Sequence, residues 1–220
     1  MTILGSSLTP QYRFNPRLGS TGRYIDRRGR AVSAETVTRE MERVIAGTKR
    51  EMQDISRQLQ RGEISAQEWY DGMRGRMKTI HTLDAAIAKG GWQQMTQADW
   101  GAVGAVTKRQ YQYLNNFVEE ILSGKQALDG RFLVRAGMYA NAARRTGEDL
   151  KRREAAGRGY DLERRVLGPT EHCRDCLEYA GRGWQPVGSL PPIGDSICKV
   201  NCRCVFEFAR LEDGEIVPVK

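Results

Sequence analysis

Five cysteines, Cys173, Cys176, Cys198, Cys202 and Cys204, fall within 32 residues, and no other cysteine occurs in the chain. The turn Cys173-Arg174-Asp175-Cys176 lets two thiolates converge on one ion, and a second pair returning 21 residues later as C-x3-C completes a tetrahedron. Thiolate-rich, redox-quiet sites of this kind select zinc in a structural role. The expected ligands are Cys173, Cys176, Cys198 and Cys202. Cys204 is the alternate for Cys202, since residues two apart on an extended strand face the same side. His172 is a weaker candidate, because its adjacency to Cys173 makes joint coordination of one ion awkward. Four thiolates leave no open position for water, so Glu171 and Glu178 are not read as bases of a catalytic zinc. Disulfides and redox-active thiols remain the competing uses of these cysteines. The odd count argues against a disulfide framework, and the surrounding sequence lacks the βαβ pattern of a thioredoxin-like site.

A module this poor in apolar residues needs a clamp and something to stand on. The chain has 220 residues and a net charge of +8, enough length for one or two domains with a real core. No stretch approaches the ~18 uncharged apolar residues of a membrane span, and the first residues lack a signal-peptide pattern, so membrane and secretory classes are not expected. Only two histidines occur, His81 and His172, which removes most histidine-dependent hydrolase chemistry. No phosphate loop, paired-carboxylate or nucleophile set is evident, and an enzyme is not expected. Residues 1–33 carry six arginines against Asp26 alone, most of the positive excess. They read as an extended basic arm that lies on a partner.

Residues 34–156 read as an α-helical body. The first helix follows Ser33 and carries Val37, Met41, Val44, Thr48, Met52, Ile55 and Leu59 on one stripe. A capping box, Ser65 and Glu68, opens the second helix, with Ile64 stapled to Trp69 and Trp69, Met73, Met77, Ile80, Leu83 and Ile87 along its face until Gly90-Gly91. The third starts at Thr96 and Asp99, with Met95 and Trp100 as staple, and carries Val103, Val106, Tyr111, Leu114, Val118 and Ile121. A fourth stretch runs from about Leu128 to Glu154. Short connections predict an antiparallel hairpin or bundle. Residues 157–220 form the zinc-binding module, loop-rich α+β, with a strand at Val205-Phe206-Glu207-Phe208 and a tail that adds another. The fold class is therefore mainly α.

The run RVLGPTEHCRDCLEYAGRGWQPVGSLPPIGDSICKVNCRCVFEF resembles the C-terminal zinc-binding segment of the minor head, or head morphogenesis, proteins of tailed phages, the Mu-like minor head family. The shared features are the C-x2-C, the spacer Gly181-Arg182-Gly183-Trp184, the turn Leu190-Pro191-Pro192 and the terminal Asn201-Cys202-Arg203-Cys204. The upstream Arg135-Ala136-Gly137-Met138-Tyr139-Ala140 is similar to the preceding helix of that family. The likeness covers about residues 130–210. Many relatives carry histidine where this chain has Lys199, and Cys198, one place earlier, stands in for it as third ligand. The resemblance implies a virion protein at the portal vertex, incorporated in the host cytoplasm during head assembly. Its implied partners are portal and capsid proteins and possible connector proteins, with homo-oligomerisation if it forms a ring. The basic arm suits an acidic capsid surface or non-specific contact with packaged DNA. The alternative from the same residues is a zinc-containing nucleic-acid-binding protein acting outside the virion.

Overall fold

The computed structural model describes residues 12–15, 23–26 and 28–218. Much of the predicted arm, including Arg17 and Arg27, lies outside the described residues. Its described parts are extended and pair with one another as a three-stranded antiparallel sheet, β1 (Tyr12–Asn15), β2 (Arg23–Asp26) and β3 (Ala31–Val32). Sequence reading gave no strand here, because so few apolar residues mark it. Ile25 is nevertheless buried, and the Tyr24 hydroxyl donates to the Ala88 carbonyl at 2.9 Å, which ties the sheet to the helical body.

The body is mainly helical, as its periodicity predicts. Ser33 caps α1 (Ala34–Gln60) by accepting from the Thr36 amide. Both halves of the Ser65/Glu68 box are formed at the start of α2 (Ala66–Lys89), and Gly90, in the left-handed region at φ 82°, closes it. Removing that cap with Ser65→Ala is expected to cost about 1 kcal/mol, read as a lower urea midpoint. An unchanged midpoint would show the box to be idle. Thr96 and Asp99 form the corresponding box on α3 (Gln97–Leu122).

The core forms where the stripes meet. Trp69 is fully buried, with the Phe117 ring 5.4 Å and the Phe132 ring 5.5 Å away, and its indole N–H donates to Ser56 Oγ at 2.9 Å. Phe117 and Ile45, absent from the predicted stripes, are both deeply buried. Trp100 departs from expectation: it is 39% exposed and stacks on Trp92, with ring centroids 5.8 Å apart and planes 3° apart. Among the helix-interior glycines, Gly72 has a packing reason, since a Cβ there would sit 3.0 Å from Ile55 on α1.

The fourth predicted stretch is two helices, α4 (Gly130–Asn141) and α5 (Ala143–Gly157), broken at Ala142. Because α4 packs on α1 while α5 packs on α2, the axis has to turn between them. Asp129 caps α4 by accepting from the Arg131 and Phe132 amides. After α5 the chain builds a second antiparallel sheet in the order β5-β4-β6-β7, from β4 (Leu162–Val166), β5 (Gln185–Pro186), β6 (Val205–Glu212) and β7 (Glu215–Pro218). The expected tail strand is β7, which pairs along β6. A short helix, α6 (Arg174–Gly181), lies between β4 and β5.

Candidate metal centre

Four local devices bring the five cysteines together. Cys173 is the N-cap of α6 and Cys176 lies in its first turn, so the C-x2-C is a loop-to-helix corner where the partial positive charge of the helix end favours thiolates. The Cys198 loop is fixed to that corner by Asp175, whose carboxylate accepts from the Ile197 amide at 2.9 Å. A 3-10 turn over Lys199–Asn201 swings the chain back, with Lys199 at φ 48° and the Cys202 amide donating to the Lys199 carbonyl. Immediately after Cys204, β6 pairs with β4, Val205 opposite Val166 and Phe206 opposite Arg165, which anchors the returning strand.

The result is one cluster. Cys176 Sγ lies 3.6 Å from Cys198 Sγ and 3.6 Å from Cys202 Sγ. Tetrahedral zinc–thiolate bonds of about 2.3 Å would set sulfurs about 3.8 Å apart, so these separations suit a shared ion. The sulfurs of Cys173, Cys176 and Cys198 lie within 4.8 Å of one another, as do those of Cys176, Cys202 and Cys204. All four expected ligands are therefore in the cluster, and the alternate Cys204 is too. Cys176, Cys202 and Cys204 are buried, whereas Cys173 and Cys198 reach solvent. No disulfide joins them; each is a free thiol. The cluster has the donors and the spacing to hold a metal ion.

Its surroundings favour thiolate at Cys202, whereas burial pushes the Cys176 and Cys198 thiols up. The Cys204 thiol donates to Cys202 and holds the Cys202 pKa well below that of a free thiol, and the same bond pushes Cys204 up. Ser196 Oγ stands 3.3 Å from Cys198 Sγ and 3.7 Å from Cys176 Sγ. Arg165, only 2% exposed, brings a guanidinium nitrogen to 4.0 Å from Cys202 Sγ. That guanidinium is held by the Pro191 and Pro192 carbonyls and lies over the Tyr179 ring at 4.9 Å and the Phe206 ring at 5.4 Å. A buried cation fixed this way lowers the cost of negative charge on the sulfurs.

Sequence reasoning missed Arg165 and Gly168. Gly168 passes so close to the returning strand that a Cβ would fall 2.2 Å from the Arg203 carbonyl oxygen. Its own carbonyl accepts from His172 Nε2 at 2.8 Å, leaving Nδ1 4.0 Å from Cys204 Sγ. His172 is thus closer to the cluster than its adjacency to Cys173 suggested. Glu171 and Glu178 belong to neither close group of sulfurs.

The module is docked on the body through polar contacts. Glu148 accepts from the Phe206 amide at 2.8 Å, Arg145 pairs with Asp195 at 2.5 Å, Arg152 on α5 pairs with the buried Glu163 of β4 at 2.8 Å, and Asn141 donates to Asn201 at 3.1 Å. No family model matches the chain, and neither the curated proteins nor the solved structures include one that matches it.

Proposed function

We propose that this chain is a structural protein of a tailed-phage head, a minor head or portal-vertex component acting in head assembly, whose C-terminal module is organised by zinc rather than by a catalytic metal. The observation that carries it is convergence: the C-x2-C, the Leu190-Pro191-Pro192 turn and Asn201-Cys202-Arg203-Cys204, the residues of the family resemblance, meet around one cluster docked on the helix that precedes them. Cys173, Cys176, Cys198 and Cys202 are its zinc ligands. A thiolate set closed to water supplies no Lewis-acid chemistry to a substrate and holds shape instead.

The surface supports a role in assembly. The stacked pair Trp92 and Trp100 is exposed where α2 turns into α3, and Leu122, 71% exposed, ends α3. Exposed aromatic pairs of this kind suit contact with a neighbouring subunit. Nucleic-acid binding outside a virion has one observation in its favour: a cleft of about 500 Å³ between α3, the α4–α5 break and the cysteine module, lined by Arg109, Arg144, Arg145 and Lys199. Glu42 and Asp195 already engage two of those arginines, which weakens its pull on phosphate.

Mass spectrometry of purified particles, with zinc quantified in the same preparation, tests the proposal. The chain is expected in mature virions at a fixed low copy number, with zinc in proportion. Its absence from virions overturns the assignment. Salt-dependent duplex binding by the full chain, together with that absence, would establish the nucleic-acid function instead.

A further inference from the structure

Six soft or borderline donors converge in the module, two more than one tetrahedral ion uses. They do not form one quartet. Among the described residues the close groups are two triads, Cys173/Cys176/Cys198 and Cys176/Cys202/Cys204, overlapping at Cys176. Cys202 Sγ is 3.6 Å from Cys176 Sγ, and both residues are buried, 2% and 1% exposed, as is Cys204 at 1%. Cys173 and Cys198 lie at one end of the cluster.

His172 stands at the other end. A carbonyl oxygen only accepts, so the 2.8 Å contact with Gly168 requires a proton on Nε2, and the neutral ring then presents a bare Nδ1 lone pair. That nitrogen is 4.0 Å from Cys204 Sγ. Metal-ligating histidines commonly donate their second ring N–H to a backbone carbonyl, which fixes tautomer and ring orientation in the same way. Adjacent residues on an extended segment point in different directions, so His172 and Cys173 suit different ions where they would not suit one.

We propose that the cluster is a binuclear centre in which two zinc-class dications share Cys176 and Cys202 as bridging thiolates. Cys173 and Cys198 complete the first ion, and Cys204 and His172 complete the second. This rests on the metal-binding role proposed above and extends it. Every donor is used once or bridged, and each ion is four-coordinate with no position left for water. The charges also close: five thiolates against two dications leave −1, and the buried Arg165 guanidinium beside the bridging Cys202 offsets it. Arg165 is a positioning and charge-balancing residue here, not a ligand.

Zinc per chain, measured by native mass spectrometry on the full-length protein produced in zinc-replete medium, tests the proposal. Two ions are expected, falling to one in the double variant His172→Ala, Cys204→Ser. One ion in the unaltered chain overturns the binuclear centre and leaves the single-zinc module standing. No ion overturns both. Two ions that persist in the double variant also overturn it, since the second would then sit elsewhere. Because that variant risks misfolding, cadmium-113 NMR on the unaltered chain provides an independent check. Two resonances split by mutual coupling through shared sulfur are expected, and a lone resonance or two uncoupled ones would sink the bridged arrangement.

Discussion

Replacing Cys176 with serine is expected to unfold residues from β4 to β6 while leaving the helical body intact. The module's own core is small: Leu190, Ile193 and Phe206, packed largely against the cysteines themselves. A structural zinc site contributes about 10–16 kcal/mol of apparent folding free energy in small peptides, comparable to the whole stability of an ordinary domain at about 5–15 kcal/mol. Cys176 is the sulfur common to both triads, so its loss damages the centre more than loss of any terminal ligand. Hydrogen exchange on the full chain reads the outcome. Amides of β4 and β6 should lose most of their protection, and those of α1 and α2 should keep theirs. The unaltered chain stripped by a strong chelator should show the same pattern. If the stripped chain keeps full protection while Cys176→Ser loses it, the cysteine acts by packing and the metal role fails.

Such a division between body and module was legible where the residue pattern speaks directly. Helix starts were fixed by side chains that make their own hydrogen bonds: Ser65 and Thr96 cap as expected, and Ser33, after which the first helix was placed, caps α1. The cysteine spacing located the cluster. What stayed hidden was carried by residues whose type contradicts their position. In β4, the inward-facing residues are Glu163 and Arg165, 0% and 2% exposed, so the apolar alternation that marks a strand is inverted. Each is buried because a partner awaits it: Arg152 and the Leu190 amide for Glu163, two proline carbonyls and two aromatic rings for Arg165. The break at Ala142 was invisible for another reason. No glycine or proline marks it, and the turn is imposed by which helices α4 and α5 pack against. Gly168 was likewise silent, since a close approach to Arg203 is a property of the fold and not of the local sequence.

The second large effect lies in the helical body, where α2 buries His81 and Asp84 against α5. His81 Nδ1 meets Thr146 Oγ1 at 2.7 Å, and Asp84 accepts from the Gly147 amide at 2.7 Å, a contact so close that a Cβ on Gly147 would lie 2.4 Å from the carboxylate. His81 Nε2 and Asp84 Oδ1 have no hydrogen-bond partner. Burial lowers His81 from 6.5 to about 4 and raises Asp84 from 3.8 to about 8, the latter despite the opposing pull of Lys151 and Arg144. The two groups therefore oppose each other. Between about pH 4 and 8 the unfolded chain gives up the Asp84 proton that the folded chain keeps, so stability falls as pH rises. Between about 6.5 and 4 the unfolded chain binds a proton on His81 that the folded chain refuses, so stability falls as pH drops. The slopes cancel below pH 6.5, and only that of Asp84 remains above it. At about 1.4 kcal/mol per pH unit, the folded protein should lose about 2 kcal/mol from pH 6.5 to 8. Asp84→Asn should abolish that decline and uncover the histidine's, so that its stability falls from pH 6.5 toward 4. Urea midpoints at pH 4.5, 6.5 and 8 on both proteins decide the matter. A flat profile above pH 6.5 in the unaltered chain would mean that Asp84 is ionised in the fold and that Lys151 and Arg144 outweigh its burial.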